Sequence, residues 1–293
     1  ALVKSEELAK RMAADSELAL HESLQAVLGF TPELAASVRQ REDDTDRYED
    51  TLGTFLVHLA TQPMSEQDSV ESSKLLHLIG DFERIADHAV NIIESAEELK
   101  EKGVFLLNLM SSPGSGKTTT LTRTIETLKD EMKIGVMEAD IDSDMDARTI
   151  SAAGAKAIQL HTGGMCHLDA GMTRQGLEGL GTENIDLAIL ENVVNLVCPA
   201  EFDTGAVKNA MILSVPEGDD KPLKYPLMFS ICDVLLVNKI DVAPYFNFDL
   251  DKCVERVKKL NPNIQVFPIS ALKGEGIEPW ADWLREQTKT WNA

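Results

Sequence analysis

The sequence is poor in basic charge: 28 Lys and Arg stand against 49 Asp and Glu, a formal net charge of −21 over 293 residues. Nucleic acids and anionic membrane surfaces favour basic faces, so neither is expected as a partner. No apolar run is long enough to span a bilayer, and no secretory signal pattern is found. Cysteine is scarce as well. The four present, Cys166, Cys198, Cys232 and Cys253, lack the short spacings of a disulfide framework, which points to a reducing, cytoplasmic setting. Strand signals are missing from the first hundred residues, and the length suits about two domains.

What stands in place of strands there is helical periodicity. One helix is expected over 6–28, closed by Gly29; a second runs to about 62, with Thr31 as its cap and Pro32 in its first turn; a third runs from Ser65 to 102. Short connections predict an antiparallel three-helix bundle over 1–102. Two acidic pairs in it have the same form: Glu42 with Asp46 and Glu83 with Asp87, each four apart and so on one helical face. Carboxylates on facing helices either ligate metal ions or make solvated faces that carry net charge, and spacing leaves both readings open.

From 103 onward, apolar strands alternate with helices, at 105–110, 134–138, 157–160, 187–190, 211–215, 234–237 and 265–269. That alternation predicts an α/β domain over 103–293, with a mostly parallel sheet covered by helices on both faces. Ligands of such sheets bind at the carboxyl ends of the strands, and the motifs fall there. Residues 111–119, Ser-Ser-Pro-Gly-Ser-Gly-Lys-Thr-Thr, follow the first strand and open a helix, as a phosphate-binding loop does. Gly114 and Gly116 permit positive φ and bring backbone N–H groups close to phosphate. Ser115 and Thr119 belong to the same loop. Lys117 adds charge near the β- and γ-phosphates, and Thr118 offers a hydroxyl to Mg²⁺.

Asn238-Lys239-Ile240-Asp241 lies at another strand end, where a base-reading loop belongs. Asp241 accepts from guanine N1 and N2, where adenine has no matching donors; Asn238 meets N7, and the Lys239 stem lies along the ring. Ser270 and Ala271, at the end of the last strand, complete a site that predicts GTP rather than ATP. Asp140 and Glu191 supply carboxylates for Mg²⁺ or its waters, with Asp146 a third candidate, since phosphoryl transfer runs on positioning and charge neutralisation. Cys166-His167 and Cys198-Pro199 form a different set. Thiolate and imidazole suit Zn²⁺, Ni²⁺ or Cu rather than Mg²⁺, and three ligands leave a tetrahedral site one short. Separated residues of these types are also ordinary core content. Cys232 and Cys253 read as structural.

Two resemblances sharpen these readings. Residues 42–46 and Asp81-Phe82-Glu83-Arg84-Ile85-Ala86-Asp87-His88-Ala89-Val90-Asn91-Ile92 resemble the acidic signatures of PhoU-like domains, which implies metal-binding carboxylates in the bundle. One three-helix unit is present where full-length PhoU proteins have two. From about 104 to the end, residues 111–119, Thr162-Gly163-Gly164-Met165-Cys166-His167-Leu168-Asp169-Ala170, Glu191-Asn192-Val193-Val194-Asn195-Leu196-Val197-Cys198-Pro199 and Glu217-Gly218-Asp219-Asp220-Lys221-Pro222-Leu223-Lys224-Tyr225-Pro226 together resemble the HypB hydrogenase nickel-incorporation GTPases.

That likeness implies a GTPase that binds GTP and Mg²⁺, forms a nucleotide-dependent homodimer, and holds nickel or zinc on Cys166, His167 and Cys198 near the dimer interface. It implies nickel delivery into the large subunit of a [NiFe] hydrogenase, beside a HypA-type metallochaperone. Val194, Ala139 and Met165 stand where that family commonly has Gly. The N–H at the first of these faces the γ-phosphate in the family, so a β-branched Val194 is expected to slow hydrolysis or the nucleotide-driven switch. The rival reading is a non-catalytic regulatory or metal-storage module in which the acidic bundle senses metal or phosphate.

Overall fold

The computed structural model describes residues 2–139 and 145–292. The chain divides into two compact units, 1–97 and 98–293. The first is built from three helices, α1 (Leu2–Leu28), α2 (Pro32–Ala60) and α3 (Glu66–Lys102), of which α3 continues past this unit. Thr31 caps α2 by accepting a hydrogen bond from Leu34 N, and Pro32 occupies the first turn, where its missing N–H costs nothing. Along α1, Ser5, Ala9, Met12, Ser16, Ala19, Ser23 and Ala26 recur at alternating steps of four and three, and all are buried. A seam of such small side chains lets α1 and α2 approach closely. The Ser16 hydroxyl has two acceptors at 2.8 Å, Met12 O on its own helix and Phe82 O on α3. The same stepping on α3 buries Leu75, Ile79, Ala86, Ala89, Ile93 and Ala96. On α2 it runs through Ala35, Val38, Thr45, Leu52 and Leu56, but at Glu42 and Glu49 it places carboxylates.

The second unit is a seven-stranded sheet in the order β3-β2-β4-β1-β5-β6-β7. Its strands are β1 (Phe105–Ser111), β2 (Ile134–Glu138), β3 (Lys156–Gln159), β4 (Leu187–Glu191), β5 (Lys208–Ser214), β6 (Val234–Asn238) and β7 (Gln265–Pro268), and every pairing is parallel. The intervening helices are α4 (Lys117–Leu128), α5 (Met145–Ala153), α6 (Ala170–Leu180), α7 (Lys221–Lys224), α8 (Pro226–Ile231) and α9 (Leu250–Leu260), and α10 (Ile277–Asn292) ends the unit. All seven residues of β1 are buried, as a central parallel strand covered on both faces requires. Leu121, Ile125 and Leu128 of α4 pack into one layer with Trp280 and Leu284 of α10; Phe229, Cys253 and Val257 lie in the other. Trp280 is 2 % exposed, and its Nε1–H donates to Thr124 Oγ1 at 3.0 Å. That contact ties α10 to the helix behind the phosphate loop.

Central strand order puts the carboxyl ends of β1, β4, β5 and β6 side by side. A buried asparagine ladder crosses three of them: Asn108 Nδ2 donates to Asn209 Oδ1 at 2.8 Å, and Asn192 Nδ2 donates to Asn108 Oδ1 at 3.0 Å. Buried amides of this kind persist only when satisfied, and this one fixes the first residue after β4.

Candidate functional site

The loop after β1 takes the form that phosphate binding needs. Gly114 and Gly116 have φ of 74° and 90°, and α4 begins at Lys117 with its unsatisfied N–H groups turned to the loop. A pocket of about 460 Å³ opens there, walled by 111–119, by Glu138 and Glu191 at two strand ends, and by Val194. Lys117 is 9 % exposed; its Nζ donates to Asn192 O at 2.7 Å and pairs with Glu191 at 3.1 Å. The expected phosphate lysine is thus braced against the end of β4. Asp140 lies outside the described residues, as does the side chain of Asp146. Thr118 is half-buried at the start of α4, and Thr119 is exposed beside it. Hydroxyl and carboxylate oxygens are hard donors, so Thr118, Glu138 and Glu191 form a set that fits Mg²⁺.

A second pocket, of about 210 Å³, lies between Gly116, Asn238, Lys239, Asp241, Ser270 and Ala271. Asp241 Oδ1 accepts from Ser270 Oγ at 2.7 Å, which orients the carboxylate. Lys239 has φ of 64°, the one positive value among non-glycine residues described, and its Nζ reaches Gly114 O at 2.6 Å, so its stem crosses the phosphate loop. Asn238 differs from expectation. Its Nδ2 donates to Ser115 O at 2.9 Å and Thr120 Oγ1 at 3.3 Å, and its Oδ1 accepts from Lys239 N at 2.8 Å and Ala271 N at 3.1 Å. An amide has two donors and two acceptor positions, and all are used inside the protein. Asn238 therefore joins the phosphate loop to the 270–271 loop, where the sequence reading had set it against N7.

Two residues to which sequence reasoning gave no role of their own hold these loops. Glu217 accepts from Ser112 Oγ with one oxygen and from Ser214 N and Oγ, at 2.8 and 2.7 Å, with the other. The Ser-x-x-Glu capping box of 214–217 was visible as a local signal; its link to Ser112, 105 residues away, was not. Arg123 on α4 donates to Ala271 O at 3.2 Å.

The thiol set is only partly assembled. Cys166 and Cys198 face each other with Sγ atoms 2.9 Å apart, and Asn195 Nδ2 approaches Cys198 Sγ at 3.5 Å. The neighbouring Cys166 thiol holds the Cys198 thiol above its ordinary pKa. His167 does not join them. Its ring stacks on Phe202, centroids 3.5 Å apart and planes 10° apart, and its buried Nδ1 has no partner. Among the described residues no three His, Cys, Asp or Glu side chains are placed to hold one ion. Met165, Val194, Val197 and Phe202, in the segments that carry these ligands, are all at least 40 % exposed. Cys232 and Cys253 are buried and their thiols are driven up by desolvation, Cys253 to about 12, as inert core residues are.

In the bundle, Glu42 on α2 is raised above the usual carboxylate range by burial first and then by Asp87, Asp43 and Asp46. Glu83 on α3 is raised by burial and by Asp87, Glu49 and Asp46. The two acidic pairs are therefore in mutual range across the helices, without forming a three-ligand cage among the described residues.

Comparison with known proteins gives these sites a context. The family model described as CobW/HypB/UreG, nucleotide-binding domain, matches residues 105–268, and the PhoU domain model matches residues 9–96. The hydrogenase maturation factor HypB of Escherichia coli (strain K12) is 43 % identical over 212 residues, spanning 70 % of this chain and 73 % of that protein. The solved structure of HypB from Archaeoglobus fulgidus aligns with a TM-score of 0.65 at 36 % identity, covering 69 % of this chain and 99 % of that one. HypB from Helicobacter pylori in complex with nickel aligns with a TM-score of 0.65 at 38 % identity, covering 70 % and 96 %.

Proposed function

Since the chain belongs to the CobW/HypB/UreG nucleotide-binding family, as a HypB-type hydrogenase maturation factor, we propose that it is a GTPase that couples GTP hydrolysis to the release of nickel. The proposed course begins with GTP bound across the two pockets, guanine against Asp241 and phosphates over 114–118. Thr118, Glu138 and Glu191 would hold Mg²⁺, which supplies charge neutralisation at the phosphates. Water displaces GDP from the γ-phosphoryl group. The cargo nickel, or zinc in its place, is bound by Cys166 and Cys198, with His167 turning from Phe202 to add a third ligand.

The observation that carries this reading is the junction at Asn192. Lys117, the phosphate lysine, donates to the Asn192 carbonyl, and six residues further along the same segment is Cys198. A γ-phosphate that draws Lys117 away alters what holds that segment. The exposed Met165, Val194, Val197 and Phe202 support a homodimer that covers them, and residues 1–102 serve as a PhoU-like domain before the GTPase domain 103–293. A HypA-type metallochaperone is the proposed nickel donor, and the hydrogenase large subunit the acceptor.

The test is Mg²⁺-dependent GTP hydrolysis by the full chain, with and without nickel, against Lys117→Ala. Turnover abolished in the variant supports the reading. GTP bound but not turned over by the parent favours the regulatory alternative and makes Val194, which lines the pocket, the residue to revert to Gly.

A further inference from the structure

The three serines of the phosphate loop are not in the same condition. Ser112 Oγ is taken by Glu217. Ser115 and Ser111 are 1 % and 0 % exposed, and neither hydroxyl has a hydrogen-bond partner. A buried hydroxyl left without a partner loses its hydration and regains nothing, so it destabilises the fold that contains it. Alanine would fill the place of Ser111 without that loss. Both residues line the phosphate pocket, and for Ser111 the sheet register says which end of it.

Leu109 is paired with Glu191 on β4, and Asn192 N donates to Leu109 O. Ser111, two residues further along β1, is level with the segment after Asn192 that leads to Val194. Its side of the pocket is therefore the one walled by Lys117, Glu191 and Val194. The guanine pocket lies beyond Gly116, against Asp241 and Ala271, and Ser111 has no part in it. A phosphate chain that starts at the base and passes over the loop ends at the wall where Ser111 stands.

We propose that the Ser111 hydroxyl is a built-in donor to the terminal phosphate of GTP, a contact that distinguishes the triphosphate from the diphosphate. The proposal rests on the guanine-nucleotide reading above. The γ-phosphate carries the most negative charge of the chain, and a neutral O–H buried beside Lys117 donates to it without adding a second cation to a site that already holds one. A donor kept unsatisfied in the protein until the ligand arrives also explains why the position retains a hydroxyl that the fold itself does not use.

The experiment compares Ser111→Ala and Ser111→Gly with the parent, all as full chains with Mg²⁺. Calorimetry measures affinity for GDP and for guanosine 5′-(β,γ-imido)triphosphate, and a thermal melt is recorded without nucleotide. The expected result is a triphosphate affinity about tenfold lower in both variants, the range of a hydrogen bond to a charged acceptor, with GDP affinity unchanged. Ser111→Ala should also melt at a higher temperature than the parent when no nucleotide is present. A merely structural serine predicts the reverse: a lower melting temperature and equal losses for the two nucleotides. That result, or an unchanged ratio of the two affinities, overturns the proposal while leaving the GTPase reading intact. A parent chain that binds neither nucleotide overturns both.

Discussion

Gly116 is the residue at which the fold and the site constrain each other most tightly, and Gly116→Ala should show it. Its φ of 90° is a conformation that costs an L-residue about 1–3 kcal/mol. A Cβ there would also lie 2.5 Å from Asn238 Nδ2, closer than real Cβ contacts come. Asn238 has to move, and its bonds to Ser115 O and Thr120 Oγ1 are worth about 1 kcal/mol each. The sum is a loss of about 3–5 kcal/mol, with the phosphate loop and the 270–271 loop released from each other. Gly114→Ala is the internal control. Its φ of 74° carries the same kind of strain, but nothing lies within 4 Å of the added methyl. Urea unfolding of the two variants should therefore differ by about 2 kcal/mol, and GDP affinity should fall further in Gly116→Ala. Equal unfolding free energies for the two would refute the reasoning, because they would show that the Asn238 contact holds nothing.

Asp241→Asn should remove the guanine preference, a site built to pair specific donors discriminating by about 10⁴; competition by ATP as weak in the variant as in the parent would count against the base pocket. Cys198→Ala should abolish the thiolate-to-nickel charge-transfer absorption while GTP turnover persists, and an unchanged spectrum would remove this pair from the nickel site. The bundle should gain stability as pH falls from 7 toward 5. Glu42 and Glu83 have raised pKa values in the folded chain, by burial first and then by neighbouring carboxylates, so their contribution is complete below the ordinary carboxylate pKa and is lost as pH rises through the raised values. Thermal melts of Glu42→Gln and Glu83→Gln should show a flatter pH dependence than the parent, and identical slopes would refute the assignment.

Much of the sheet was legible because a buried parallel strand is a short apolar run. The expected strands at 134–138 and 234–237 match β2 and β6 nearly residue for residue. The start of β5 was not legible, and the reason lies in Lys208 and Asn209. Lys208 pairs with Asp233 at 2.8 Å and Asn209 accepts from Asn108, so polar residues open a central strand for reasons that become visible only across the sheet. The same holds in the site. Glycine spacing revealed the phosphate loop because positive φ is a local demand. The acceptors of Asn238 Nδ2 are 118 and 123 residues away, and a distance of that kind leaves no mark in spacing. His167 is the converse case: it is next to Cys166 in sequence, but neighbouring side chains leave the backbone in different directions, and its ring stacks on Phe202. The bundle seam is the clearest case of pattern made structure, since the buried positions of α1, all Ser or Ala except Met12, repeat at three and four from Ser5 to Ala26.

The distribution of ties decides which part of the site is able to move. The phosphate loop is held from three directions, by Glu217 at Ser112, by Lys239 at Gly114 and by Asn238 at Ser115. The 270–271 loop is held by Asn238 and Arg123. The segment from Asn192 to Cys198 is anchored at its start, where Asn108 takes the side chain and Lys117 the carbonyl. Further along it, the bonds are local, Asn195 N to Val193 O and Val197 N to Asn195 Oδ1, until Cys198 meets Cys166 at 2.9 Å. Of these anchors, the asparagine ladder and the bond from Asn192 N to Leu109 O are internal to the sheet, and Lys117 is the one for which, on the proposed reading, a phosphate competes. On the proposed reading a γ-phosphate acts through 193–198, the segment that carries Val194 and Cys198. If nucleotide and nickel communicate through this segment, the coupling must be reciprocal: GTP must change nickel affinity by the same factor by which nickel changes GTP affinity. Two calorimetric titrations, each ligand in the presence and absence of the other, close that cycle, and a common factor of one would refute the coupling of the two sites.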